Sequence, residues 1–156
     1  MRGRRDGPHT EGVRVRDPAF EARVRQSFGR QRLMELIGAR LRHVAPGKVE
    51  IEAPIRKDLS QQHGYLHAGV VTALIDSACG HSALTLSPPG TEVLTVEFKV
   101  NFLAPASGTV VVGRGWVVRA GRSITVCAGE AAVTNDSRET TVATMLATML
   151  IVDGQR

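Results

Sequence analysis

The sequence predicts an α+β fold in which an antiparallel β-sheet wraps around one long central α-helix. Residues 68–86 form a run of small and apolar side chains that is apolar on nearly every side, as expected of a buried helix. A hairpin precedes this run, and four strand-like runs follow it. A sheet wrapped around the helix is the simplest way to bury both. The length suits one domain, predicted here at residues 17–156.

The N-terminal part is predicted to contain a flexible leader and two short helices. Residues 1–16 are rich in glycine, arginine and polar side chains without periodicity, which is typical of a flexible basic leader. Asp17 followed by Pro18 is the pattern of a helix N-cap with proline at the first helical position. This helix is expected to end near Gly29, and residues 33–37 are predicted to add a second short helix.

The strands are predicted from period-two alternation between turn residues. Pro46-Gly47 is the turn of a hairpin over residues 39–54. Pro88-Pro89-Gly90 closes the central helix. The later strands are expected at residues 93–103, 109–119, 123–134 and 140–152.

Turn residues separate these later strands, so we expect a four-strand antiparallel meander. The turn signals are Pro105 with Gly108, Gly121, and Asn135-Asp136-Ser137. In the first strand the alternation places one set of apolar side chains on one face and the polar set opposite. The apolar set is Leu94, Val96, Phe98, Val100 and Phe102, and the polar set is Thr95, Glu97, Lys99 and Asn101.

Composition argues against nucleic-acid and membrane functions. The net charge is +5, but much of the basic excess lies in the first forty-odd residues, as in a basic tail followed by a solvated helix face. Few aromatic side chains are available to stack on bases. The apolar run at residues 68–86 contains Asp76 and His81, so it is not expected to span a membrane. Cys79 and Cys127 are interpreted as reduced core thiols, which favours a cytoplasmic location.

Asp76 is the first candidate for chemistry. No lysine or arginine occurs from Asp58 through Phe98, and Asp76 lies on the apolar helix in the middle of that gap. A buried carboxylate without a cationic partner is costly, so it is usually kept for a function. A structural role remains an alternative, with Asp76 bonded to Thr72 or the Gly80 backbone, or paired with a charged His81.

The segment that leads into the helix, residues 61–69, is a candidate carbonyl cradle. Gly64 and Gly69 permit tight backbone conformations and the close approach of a ligand. The first N–H groups of the helix, from about Ala68 to Val70, point out of its positive end and can hold a developing oxyanion. A plain glycine-bearing turn is the alternative interpretation.

Three features together resemble the hotdog-fold acyl-CoA thioesterases of the phenylacetate-degradation (PaaI-like) type. They are residues 63–69, the acid nine residues after His67, and Thr95-Val96-Glu97. The resemblance covers residues 33–152. It implies a hotdog fold and hydrolysis of acyl-CoA thioesters, with Asp76 as general base or nucleophile. No metal and no other cofactor is implied.

The resemblance also implies a role for several neighbours of Asp76. The family's His-Gly-Gly reads His67-Ala68-Gly69 here, so the Ala68 N–H is the expected oxyanion donor and His67 positions the turn. Gln61 stands where the family often has asparagine and would polarise the carbonyl, or Gln62 if the loop register differs by one. Thr95 is expected to orient the attacking water.

The resemblance further implies a dimer in which the acid of one chain faces the oxyanion turn of the other, and tetramers are common in the family. Arg119 and Arg122 are then candidates to contact the phosphates of coenzyme A.

Two other functions stay open. An enoyl-thioester hydratase or dehydratase would use His67 or His81 beside an acid. A noncatalytic acyl-CoA sensor or DNA-binding regulator would use the basic leader, although no helix-turn-helix precedes the domain.

Overall fold

The computed structural model describes residues 14–135 and 138–154 and confirms the α+β class, with a sheet around a central helix. Its elements in chain order are α1 (Phe20–Gly29), α2 (Arg32–Leu36), β1 (Arg40–Ala45), β2 (Lys48–Pro54), a short 3-10 turn (Lys57–Leu59), α3 (Ala68–Leu84), β3 (Thr91–Phe102), β4 (Val110–Ala120), β5 (Ile124–Asn135) and β6 (Arg138–Asp153). The predicted hairpin, central helix and later strands are therefore present within a few residues of their expected bounds.

The central helix α3 packs directly on the backbone of the sheet. Gly113 and Gly115 of β4 and Gly129 of β5 lie beneath it. A Cβ atom added at Gly115 would lie 2.4 Å from the backbone at Ala78, so any larger residue there would push the helix away. The glycines thus let α3 bury side chains such as Leu74 against the sheet.

The predicted four-strand meander is wrong in the position of β3. The sheet is entirely antiparallel with the order β1-β2-β4-β5-β6-β3. Because β2 and β5 occupy the two edges of β4, β3 pairs instead with β6 at the far edge of the sheet. Pro105 and Gly108 therefore lie in a connection between strands that are not neighbours, and only β4, β5 and β6 form a meander.

The other predicted turns have separate outcomes. Gly121 lies in the hairpin between β4 and β5, where its N–H donates to the Ile124 carbonyl at 2.8 Å. Asp136 and Ser137, predicted to turn the chain between β5 and β6, lie outside the described residues. Most of the predicted leader, residues 1–13, lies outside them as well.

The first helix begins two residues later than predicted. Asp17 accepts a hydrogen bond from the Ala19 N–H at 2.9 Å, so it closes a turn before the helix rather than capping it. Helix α1 then starts at Phe20. Its end at Gly29 and the short helix α2 agree with the prediction.

Arg23 of α1 joins this helix to the C-terminal end of α3. Its guanidinium donates to the carbonyl oxygens of Leu84 and Pro88, each at 2.6 Å, and to that of Ser87 at 2.9 Å. The last carbonyls of a helix have no partner within the helix and carry its negative end. Arg23 therefore stabilises α3 by a tertiary cap.

Strand β3 contains a β-bulge that changes which side chains face the helix. Thr95 pairs with Met149, whereas Phe98 pairs with Ala147, so Val96 is an extra residue in the strand. Met149 and Ala147 are buried on the helix side of the sheet. Thr95 and Phe98 consequently share that side. The predicted unbroken alternation, which placed Thr95 opposite Phe98, is wrong at this point.

Candidate active site

The centre of the candidate site is the pair formed by Asp76 of α3 and Thr95 of β3. The Thr95 hydroxyl donates a hydrogen bond to Asp76 Oδ1 at 2.8 Å. The bulge at Val96 makes this contact possible, because it turns Thr95 toward the helix. A hydroxyl that touches the carboxylate in this way can also hold a water molecule beside it.

Asp76 has none of the structural partners that the sequence left open. The Thr72 hydroxyl donates to the Ala68 carbonyl at 2.8 Å, and His81 Nδ1 lies 2.8 Å from the Ser77 carbonyl. No basic side chain in residues 14–135 or 138–154 forms an ion pair with Asp76. The carboxylate is therefore half-buried and uncompensated by charge.

The pKa of Asp76 reflects this environment. Burial raises the pKa of its carboxyl above the ordinary value, and the hydrogen bond from Thr95 opposes part of that rise. A carboxylate with a raised pKa is a better proton acceptor than an exposed aspartate. This is the property that a general base requires.

The turn before α3 leaves one backbone N–H free at the start of the helix. His67 is the N-cap residue, and its Nδ1 accepts a hydrogen bond from the Gly69 N–H at 2.8 Å. The Val70 N–H donates to the His67 carbonyl at 3.0 Å. Within the described chain, the Ala68 N–H has no hydrogen-bond partner. Of the three N–H groups from Ala68 to Val70 that were expected to hold an oxyanion, that of Ala68 is therefore the free one. The His67 side chain stabilises the turn.

The loop that precedes this turn is closed by Gln61. The Gln61 N–H donates to the Tyr65 carbonyl at 2.8 Å, and the Gln61 carbonyl accepts from the Gly64 N–H at 3.0 Å. Its side-chain Oε1 accepts from the His63 N–H. Gly64 has φ +85°, a conformation that glycine adopts without strain. These bonds leave the Gln61 amide NH₂ group as a donor.

Gln61 and Ala68 border an apolar cleft of about 400 Å³. The other lining residues are Tyr65, Leu66, Val71, Phe102, Leu103, Ala104, Pro105, Ala106 and Val142. A mostly apolar wall with a few polar donors suits an apolar ligand that carries one carbonyl group. Gln62 is exposed and does not line the cleft. The sequence indicated Gln61 and Ala68, but no motif identified the wall formed by Tyr65 and Phe102.

Asp76 and Ala68 of one protomer are too far apart to act on the same carbonyl group. They are eight residues apart on α3, which corresponds to about 12 Å along a helix. Asp76 is also not among the residues that line the cleft. Within one chain, the Asp76 carboxylate and the free Ala68 N–H therefore lie at two separate places.

Arg119 and Arg122 lie at the other end of the protomer from Ala68. The neighbouring Val117 N–H donates to the Gly47 carbonyl at 2.8 Å, and the Gly47 N–H donates to Thr85 at the C-terminal end of α3. Arg119 pairs with Val126 on the face of the sheet opposite the helix. The structure does not bring either arginine to the cleft of its own chain, so a phosphate contact remains a prediction.

Neither histidine proposed for hydratase chemistry lies beside Asp76. His67 is occupied with the Gly69 N–H. His81 is buried against α1, where its ring contacts Phe28 edge-on with centroids 5.7 Å apart. Burial lowers the pKa of His81, which favours its neutral form. Among the described residues, neither of these two histidines is therefore paired with Asp76.

Two further features bear on the kind of site. Within the described ranges, no group of three or more His, Cys, Asp or Glu side chains is arranged to hold a metal ion. In that same part of the chain, no helix is long and apolar enough to cross a membrane.

The chain is similar to known proteins in sequence and in fold. Residues 63–140, which include the turn, Asp76 and Thr95, match the model of the thioesterase superfamily. A crystal structure of a thioesterase family protein from Silicibacter pomeroyi has a TM-score of 0.85 and 46% sequence identity. The similarity covers 86% of this chain and 99% of that protein.

Two more distant similarities add less. The E. coli PaaI protein of the phenylacetic acid degradation operon has a TM-score of 0.77, covers 87% of this chain and 95% of that one, and is 15% identical, which shows a shared fold alone. A Saccharolobus solfataricus protein, provisionally named an esterase, is 28% identical over 94 residues, or 60% of this chain. The match spans 66% of that relative, slightly less than two thirds of its length.

Proposed function

The chain belongs to the thioesterase superfamily, and from this premise we propose that it hydrolyses acyl-CoA thioesters to a free acid and coenzyme A. The observation that carries the proposal is Asp76, a half-buried carboxylate with a raised pKa that accepts a hydrogen bond from Thr95. The Ala68 N–H, which is free at the positive N-terminal end of α3, supplies the complementary donor.

In the proposed reaction the Ala68 N–H and the Gln61 amide donate to the carbonyl oxygen of the thioester. Asp76 removes a proton from a water molecule oriented by Thr95, and the water oxygen attacks the carbonyl carbon. The tetrahedral intermediate places its negative charge on the oxygen held by the two donors. The C–S bond then breaks, and the leaving thiolate takes the proton from Asp76. Direct attack by Asp76 through an acyl-enzyme is the alternative route.

The site requires two copies of the chain. The gap of about 12 Å between Asp76 and Ala68 along one helix is closed if Asp76 of one protomer faces the Ala68 turn of another. β3 is the strand through which this pairing would occur, since it is an edge strand whose second edge has no partner among the described strands. Val96, Phe98 and Phe102 of this strand are 42 to 56% exposed. We therefore propose a homodimer joined at β3, with a tetramer as a further assembly.

A cytoplasmic location is proposed on the basis of the cysteines. Cys79 and Cys127 are both buried and unpaired. Burial raises the pKa of the Cys127 thiol to about 12, and it also raises the pKa of the Cys79 thiol. Such thiols are poorly reactive, and the described fold does not depend on a disulfide.

The proposal is tested by measuring free thiol release from aryl, short, medium and long acyl-CoAs. Wild type is compared with Asp76→Asn, which keeps the size of the side chain and removes the base. We expect hydrolysis by wild type and a loss of about 100-fold or more in the variant. Asp58→Asn, an exposed carboxylate outside the site, is the matched control and is expected to retain activity.

Two outcomes would count against the proposal. If wild type binds acyl-CoA but releases no thiol above background, a noncatalytic sensor replaces the enzyme. If wild type hydrolyses acyl-CoA and Asp76→Asn is equally active, the activity belongs to another group.

A further inference from the structure

We propose that Gly80, one helical turn beyond Asp76 on α3, determines the size of the acyl group that the site accepts. The group it admits is a bulky apolar one, larger than acetyl. This inference rests on the proposed function, because it places Gly80 at the same thioester site as Asp76.

Glycine at position 80 destabilises the helix, and no contact within its own protomer explains why a glycine is there. A glycine in a helix interior is less favourable than alanine by about 1 kcal/mol. At Gly115 the reason for glycine is clear, since a Cβ atom there would lie 2.4 Å from the backbone of α3. A Cβ atom at Gly80 would meet nothing within 4 Å. Packing inside the chain would therefore accept a side chain at this position.

The open space at Gly80 adjoins the proposed base. Residues four apart on a helix lie on the same face, with about 5 to 6 Å between their side chains. From Leu74 through Ser87, only Asp76 and Gly80 are not buried. The solvent-accessible part of this half of α3 is thus limited to the carboxylate and the glycine next to it.

Strand β3 borders this space, and its residue at the level of Gly80 is apolar. Strand β3 starts at Thr91, after the C-terminal end of α3, and therefore runs antiparallel to the helix. Val93 precedes Thr95 by two residues on the same face of the strand. It consequently lies at the level of Gly80, as Thr95 lies at the level of Asp76. Val93 packs against the core, so it offers an apolar surface beside the glycine.

These positions define a direction for the acyl group. When the thioester carbonyl carbon lies within reach of the Asp76 carboxylate, the acyl group extends from that carbon. A few atoms of the acyl group are enough to span one helical turn. Toward the C-terminal end of α3 the substituent meets Gly80 and Val93 and no polar side chain of the helix surface. A glycine at this point admits an aryl or medium-length chain, whereas a larger side chain would fill its place.

The inference is tested with Gly80→Leu and Gly80→Ala, using acyl-CoAs from acetyl to decanoyl together with phenylacetyl-CoA. The reference is the shortest acyl-CoA that wild type hydrolyses. In Gly80→Leu we expect kcat/KM for phenylacetyl-CoA and the medium chains to fall about tenfold or more relative to that reference. Gly80→Ala favours the helix and is expected to shift the profile in the same direction by a smaller factor. It therefore tests the inference even if the leucine variant does not fold.

The outcomes separate this inference from the proposed function. Absence of hydrolysis by wild type on every substrate overturns both. Hydrolysis by wild type, with a chain-length profile that neither variant changes, overturns the role of Gly80 alone. Sedimentation identifies a third case. If Gly80→Leu loses the dimer and all substrates lose activity equally, Gly80 serves contact between subunits and the inference is wrong.

Discussion

At the scale of single residues, burial and the hydrogen bond from Thr95 act in opposite directions on the carboxyl group of Asp76. The hydrogen bond from Thr95 favours the ionised form of the acid, while burial favours the protonated form. Burial is the larger effect, so the net pKa is raised. Activity that requires ionised Asp76 is therefore lost as the pH falls through this raised pKa.

Replacing Thr95 by valine tests that balance. Thr95→Val keeps the shape of the side chain but removes the bond that lowers the pKa of Asp76, so the acid limb of the kcat/KM profile should move to higher pH. The direction follows because only burial, which raises the pKa, then acts on the carboxyl group. Thr95→Ser keeps the hydroxyl and should restore the wild-type limb. An unshifted limb in the valine variant would show that Thr95 does not control the titration.

Some of this site could be predicted from residue types alone. Asp76 was recognisable as the one acid on an apolar helix, and the glycines beside His67 indicated the turn. The family resemblance implies that Thr95 orients the attacking water, whereas its direct hydrogen bond to Asp76 is seen only in the structure. Alternation placed Thr95 on the wrong face, since no residue type marks the extra residue at Val96 that turns it inward.

At the scale of elements, α1 stabilises the helix that carries the site. Arg23 donates to three carbonyls beyond or within the last turn of α3, and its side chain is 17% exposed. Its interaction with Asp17 at 3.4 Å helps to orient it. The sequence predicted α1 but not this role, because a cap supplied from another helix leaves no local pattern.

Removal of Arg23 is expected to destabilise the fold. Arg23→Ala leaves helix-end carbonyls without their charged donor, and we expect the free energy of unfolding to fall by about 2 to 3 kcal/mol in urea denaturation. Arg25→Ala is the matched control. Arg25 pairs with Glu21 on the surface with 55% exposure, so its loss should cost less than about 0.5 kcal/mol. Equal effects of the two substitutions would refute the tertiary cap.

The position of β3 shows a different limit of sequence patterns. Period-two alternation and turn residues predicted that β3 is a strand, but they do not specify its neighbour. Its partner is decided by which sheet edges remain open after β2, β4, β5 and β6 have paired. The result leaves β3 at an edge, with Asp76 beside it and one side open.

At the scale of the whole molecule, the proposed active site combines Asp76 of one chain with Ala68 of another. The carbonyl donor can be removed by a substitution at Ala68 itself. It is the first residue of α3, where proline is tolerated, and His67 has ψ 136°, which suits a residue before proline. Because the Ala68 N–H makes no hydrogen bond within the described chain, Ala68→Pro removes the donor with little effect on folding.

The most direct test is to mix Asp76→Asn with Ala68→Pro under conditions that exchange subunits. Each variant alone should be nearly inactive. In a shared site, a mixed dimer has one intact active site and one that lacks both groups. Half of the dimers are mixed after exchange, so we expect recovery to about one quarter of wild-type thiol release. A mixture that remains as inactive as its components, although exchange has occurred, would contradict the shared site.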